Sequence, residues 1–230
     1  VPPAEFIPIL EQCGLNVDVG NWVLREAARR VHSWMQRGAP PITVSVNVSP
    51  LQFADPDFVP KTLNTLLTVG LDPKLLQLEV TEGLLLDPSA ETLSKLDTLA
   101  NAGIRLAVDG FGMGYSSLAY LKRFRLHALK IDRMFVKDVM EVNRDAAVVK
   151  AIIDLAHALD LSATAEGVET ADQAQLLQSF GCDMLQGYWF AMPMSEGACF
   201  ERIVGSADAA APRFNDWSTT LCASLDLDTR

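Results

Sequence analysis

Six short runs of strand-forming residues, each set off from the next by a helical pattern, carry a polar side chain at or near the end. The runs are Thr43–Val48, Leu75–Val80, Ile104–Val108, Ala128–Ile131, Ser162–Ala165 and Asp183–Leu185. Their β-branched and aliphatic content reads as buried strand. The polar residues are Asn47, Glu79, Asp109, Lys130, Glu166 and Gln186. Helices are expected near 2–14, 17–37, 57–69, 89–102, 116–123, 145–159, 171–180 and 195–204, from apolar periodicity and from Gly and Pro stops. Strands that alternate with helices pair in parallel, because only a crossover returns the chain to the same end of a sheet.

An open dinucleotide-binding sheet places its Gly-rich turn after the first strand. Here Gly110, Gly112 and Gly114 follow the third strand, and they do not match that fingerprint. Ligand-type residues delivered one strand at a time are what a closed barrel collects at its carboxyl face. The expected fold is therefore a modified TIM-type (β/α)8 barrel, with six strands visible and the N-terminal strand or strands missing from this chain. On the helix near 17–37, Trp22, Val23, Ala27, Val31 and Met35 form an apolar stripe assigned to the core. From Gly205 onward Ala, Asp, Ser and Thr follow no steady period. The expected organisation is one domain over 1–204 and a loosely structured tail over 205–230.

Asp109 is the centre of the site expected from this pattern. An acid at a strand end beside three glycines is a carboxylate on a rigid element next to a tightly bent loop. Composition narrows the chemistry. A formal charge of −10 argues against broad electrostatic binding to a nucleic-acid backbone, so an anionic substrate needs local help from metal ions or a single lysine. Cys13, Cys182, Cys199 and Cys222 lack paired spacing, which argues against a zinc site or a disulfide framework and fits a reducing compartment. No apolar run reaches the length of a membrane span. His32 and His157 fall within helical patterns and read as surface or packing residues.

Seven segments in order resemble the EAL domain of bacterial cyclic-di-GMP signalling, over residues 2–204. They are Pro3-Ala-Glu-Phe-Ile-Pro8, Val46-Asn-Val-Ser49, Leu78-Glu-Val-Thr-Glu82, Asp109-Gly-Phe-Gly-Met-Gly-Tyr-Ser-Ser117, Leu129-Lys-Ile-Asp-Arg133, Ala165-Glu-Gly-Val-Glu-Thr170 and Gln186-Gly-Tyr188. The resemblance implies a domain that hydrolyses cyclic-di-GMP to linear pGpG with Mg²⁺ or Mn²⁺. By position it implies Asn47, Glu79 and Asp109 as metal ligands. Glu166 matches the acid near the second metal and the attacking water, and Lys130 the lysine that holds water or phosphate. Glu82 and Glu169 match supporting carboxylates, and Gln186 a polar contact at the last strand end. Oxygen donors of this kind suit Mg²⁺ and Mn²⁺.

Two departures from the family pattern stand out. The glutamate of the family's name motif lies upstream of Pro3 and is absent from this sequence. Active members carry paired aspartates where this chain has Asp109-Gly110, and Met113 replaces the usual threonine. Two readings follow from different classes: a cyclic-di-GMP-binding module with impaired hydrolysis, or a working metal-dependent phosphodiesterase that tolerates Gly110. A scaffold that binds no nucleotide is disfavoured because the other ligand positions are kept. The implied partners are cyclic-di-GMP and further signalling domains or a protein partner, with homodimerisation open. The implied setting is cytoplasmic, with no DNA and no membrane contact by this domain.

Overall fold

The computed structural model describes residues 3–85, 89–112, 121–208 and 220–222. The expected helix near 116–123 lies largely outside them, as do Met113 and Tyr115. The chain divides into two compact units, one of Val1–Leu78, Asn101–Arg105 and Pro193–Arg230, the other of Glu79–Ala100 and Leu106–Met192.

The first unit contains α1 (Pro3–Cys13), α2 (Asn16–Gln36), β1 (Thr43–Val48), α3 (Pro50–Ala54) and α4 (Phe58–Val69). It also holds the start of β2 (Leu76–Thr81), α9 (Glu196–Asp208) and β7 (Thr220–Cys222). The buried stripe of α2 is Leu24, Ala27, Ala28, Val31 and Trp34, which corrects the one expected. Trp22 is 40% exposed, while Val23 and Met35 are half-buried. Two apolar stripes at helical spacing overlap on this helix, and packing against α4, β1 and α3 selects the buried one. Gly70, at φ 78°, ends α4 in the left-handed conformation that an L side chain resists. Arg30 pairs with Glu26 and with Glu196 of α9, and the Arg37 guanidinium lies 3.7 Å over the Phe200 ring. Within residues 205–230, α9 continues to Asp208, and Thr220–Cys222 pairs in parallel with Thr43–Ser45 of β1.

The second unit is built on the end of β2, β3 (Arg105–Phe111), β4 (Ala128–Ile131), β5 (Ser162–Ala165) and β6 (Met184–Leu185), hydrogen-bonded in that order. The β3–β4, β4–β5 and β5–β6 pairs are all parallel. Helices α5 (Ala90–Asn101), α6 (Arg133–Lys137), α7 (Asn143–Ala158) and α8 (Ala171–Ser179) lie between these strands in the chain. Leu106, Ala107, Val108, Leu129, Ile131, Ala163 and Ala165 are 0% exposed, as expected of parallel strands covered on both faces. Between β3 and β4, His127 Nδ1 accepts the Leu106 N–H at 3.1 Å. The alternating β/α order is the expected one, and β7 joins the six expected strands.

Three contacts fix the strand ends that matter for function. Thr170 and Gln173 form a capping box at the start of α8. The buried Gln173 amide also donates to the Val136 and Lys137 carbonyls, tying α8 to α6. Gly187 lies against Val168 so closely that a Cβ there would stand 2.1 Å from the Val168 carbonyl oxygen. Backbone cannot yield as a flexible side chain does. Gly187→Ala is therefore expected to cost at least about 1–3 kcal/mol, measured as a fall of several degrees in Tm. An unchanged Tm would show that this approach is not needed.

Candidate metal centre

On β2, side chains alternate between the two faces of the strand, so Leu78 and Val80 share one face and Glu79 takes the other. The same alternation sets Lys130 of β4 opposite Leu129 and Ile131. Asp109 owes its direction to a different device. Between Val108↔Leu129 and Phe111↔Ile131, β3 advances three residues while β4 advances two, which is a β-bulge. Gly110, at φ 67°, is its left-handed residue. The strand therefore continues through Asp109 and Gly110 to Phe111, which is 6% exposed and packs in the interior. The expected strand end at Val108 is corrected accordingly. Hydrophobic periodicity cannot reveal a bulge, because the extra residue lies beyond the apolar run.

These elements bring Glu79, Asp109, Lys130 and Glu166 together. Carboxylate oxygens of Glu79, Asp109 and Glu166 all lie within 4.8 Å of one another. The Lys130 ammonium stands among them, in contact with Glu79 Oε2, 2.5 Å from Glu166 Oε1 and 3.6 Å from Asp109 Oδ1. The Lys130 and Glu79 side chains are 3% and 1% exposed, against 27% for Asp109 and 21% for Glu166. Burial raises the Glu166 carboxyl above the usual carboxylate range; Lys130 pulls it down, while Asp109 and Glu79 add to the rise. A converging, all-oxygen carboxylate set is the donor chemistry that Mg²⁺ and Mn²⁺ take, so the residues fit such an ion.

The remaining expected site residues are placed as follows. Glu82 is 5% exposed, and its Oε2 accepts the Gly112 N–H at 3.2 Å, tying down the start of the glycine segment. Glu169 is exposed, with its N–H donated to Gln173 Oε1. Gln186 is half-buried just beyond β6, its N–H donated to the Ala165 carbonyl at 2.8 Å. Asn47 is exposed near the end of β1, in the other unit.

Asp132 was not among the expected site residues. Its Oδ1 accepts the Met134 N–H at 2.7 Å and caps α6, while its Oδ2 lies 3.8 Å from where a Cβ on Gly110 would stand. The available signal was its spacing, two residues after Lys130 and directly past the end of β4.

The family model described as "EAL domain" matches residues 1–193. The bifunctional diguanylate cyclase/cyclic di-GMP phosphodiesterase MucR of Pseudomonas aeruginosa is 42% identical over 194 residues, covering 84% of this chain and 28% of MucR. The signaling protein YkoW of Bacillus subtilis is 42% identical over 193 residues, covering 84% of this chain and 24% of YkoW. The chain thus spans about a quarter of the length of these relatives. Among solved structures, the PaMucR phosphodiesterase in complex with c-di-GMP superposes with a TM-score of 0.83 at 41% identity, covering 86% of this chain and 81% of that one. The manganese/cy-diGMP complex of Klebsiella pneumoniae BlrP1 gives a TM-score of 0.68 at 30% identity, covering 78% and 46%. The fold is accordingly of the modified TIM-barrel type, and the chain belongs to the EAL domain family.

Proposed function

We propose that this domain binds cyclic-di-GMP and hydrolyses it poorly, because position 110 supplies no carboxylate. The observation that carries this reading is Gly110 itself, a bare left-handed residue of the bulge directly beside Asp109. Glu79 and Asp109, with Asn47 by its place in the family motif, would hold the first Mg²⁺ or Mn²⁺. When bound, such an ion supplies polarisation of a phosphodiester and a lower pKa for water. Lys130 then faces the ligand's negative charge, Glu166 receives or orients the proton of the attacking water, and Glu82 sets the position of the glycine segment through Gly112. Glu169 and Gln186 support the adjacent strand ends. The second reading, a fully active phosphodiesterase producing pGpG, draws support from the convergence of the three carboxylates on Lys130.

The domain in this proposal runs to residue 204, and it acts joined to further signalling domains, as its coverage of a quarter of the multidomain relatives suggests. A reducing, cytoplasmic setting is part of the same proposal, resting on the free thiols of Cys13, Cys182 and Cys199. Among the described residues no helix is long and apolar enough to cross a membrane. The test is calorimetric binding of cyclic-di-GMP alongside chromatographic detection of pGpG, with Mg²⁺ and then Mn²⁺. Binding with slow turnover is expected. Fast turnover would favour the second reading, and no binding under either ion would sink both.

A further inference from the structure

Lys130 stands where a divalent ion would have to stand. Its ammonium contacts Glu79, lies 2.5 Å from Glu166 and 3.6 Å from Asp109, and those three groups offer oxygens within 4.8 Å of one another. Mg²⁺ approaches its oxygen ligands to about 2.0–2.1 Å. An ion on these oxygens and a nitrogen among them would overlap, so one excludes the other from the centre of the cluster.

We propose that Lys130 is the resident cation of this cluster, and that a divalent ion enters by taking Glu79 from it while Lys130 keeps Glu166. This rests on the reading that the site takes such an ion. Strand order decides which carboxylate is released. Glu166 follows β5, the immediate neighbour of the β4 that carries Lys130, whereas Glu79 lies on β2, with β3 between. Surrendering the farther partner leaves Glu79 and Asp109, from adjacent strands, for the ion. The flexible four-carbon stem permits the shift, and retaining Glu166 avoids stranding a buried ammonium without a counter-charge.

Charge explains why a divalent ion succeeds where a monovalent one fails. Three carboxylates and one ammonium leave two net negative charges, which a divalent ion neutralises with Lys130 still in the cluster. Sodium or potassium entering in the same way would lose its hydration and still leave one negative charge uncompensated. Lys130 thereby makes the centre selective for divalent ions. Any anion that draws the ammonium away from Glu79, a phosphodiester included, must strengthen ion binding, and the ion must strengthen anion binding by the same factor.

The test titrates Mn²⁺ and Mg²⁺ calorimetrically into the full chain and into Lys130→Met, at low and at 0.15 M (roughly physiological) NaCl. The variant is expected to bind the first ion ~10-fold or more tightly, and sodium should now compete. Arg133→Ala, which removes an exposed charge close by in sequence, is the control for a general field effect and should change affinity by less than ~2-fold. Equal or weaker affinity in Lys130→Met, or an equal gain in Arg133→Ala, overturns the proposal. If Lys130→Met does not fold, the side-chain NMR signal of Lys130 in the native protein decides: it must move saturably with Mg²⁺, and an unmoved signal in the ion-loaded protein overturns the proposal. Absence of ion binding in every variant would overturn the metal reading of the site as well, whereas binding without the Lys130 effect overturns only this inference.

Discussion

Gly110→Asp is expected to raise cyclic-di-GMP hydrolysis by ~10- to 100-fold, the range typical of residues that tune a metal site, and to change cyclic-di-GMP affinity little. The chain used should also carry the family's upstream glutamate. Aspartate is among the few residues that accept the left-handed backbone found at Gly110, and its Cβ would meet nothing closer than Asp132 Oδ2 at 3.8 Å. The substitution therefore adds a carboxylate beside Asp109 without displacing the bulge. A carboxylate that acts on the attacking water works mainly in the transition state, so turnover should respond far more than binding. Facing Asp132, the new charge is repelled in ion-free protein. Tm should fall by a few degrees without divalent ion and recover on its addition. High turnover with Gly110, unchanged by the substitution, would refute the binding-module reading.

Lys130→Met is expected to destabilise the ion-free protein by about 3–5 kcal/mol at neutral pH, the usual cost of removing one partner from a buried ion pair. Glu79, with its side chain 1% exposed, would lose the ammonium it contacts. The deficit should depend on pH with a definite sign. The Glu166 carboxyl is raised above its ordinary value of 4.5 by burial, with Lys130 opposing the rise and Asp109 and Glu79 adding to it. A carboxyl raised on folding favours the folded state below its unfolded pKa, and that contribution is lost as pH rises through the folded pKa. Removing Lys130 removes the opposing pull and raises the group further. The stability gap between native and variant protein should widen from acid towards neutral pH and narrow again when Mn²⁺ is added. Denaturant unfolding across that range reads it directly, and a pH-independent gap would show that Lys130 does not compensate these carboxylates.

The order of strands and helices was legible in the chain because each strand here is a short apolar run bounded by its own turn signals, and local pattern suffices for that. The side chains that converge were legible for the same reason: Glu79, Asp109, Lys130 and Glu166 each stand at or near a strand end. Local pattern failed where two answers shared one period. On α2 the stripes through Trp22 and through Leu24 are equally helical, and packing against α4, β1 and α3 chooses between them. It failed again at Asp109, whose direction comes from a bulge defined by the register of β3 against β4. Lys130 and Glu79 are 51 residues apart, and nothing near either in the chain specifies the other. Their pairing, the close approach of Gly187 to Val168 and the joining of β7 to β1 exist only once distant strands are brought side by side. Residue types and their periods thus determined the elements and set Glu79, Asp109, Lys130 and Glu166 at or near strand ends. Tertiary packing decided which faces are buried, where Asp109 points and which cation occupies the carboxylates, because those depend on distances between segments that no local pattern encodes.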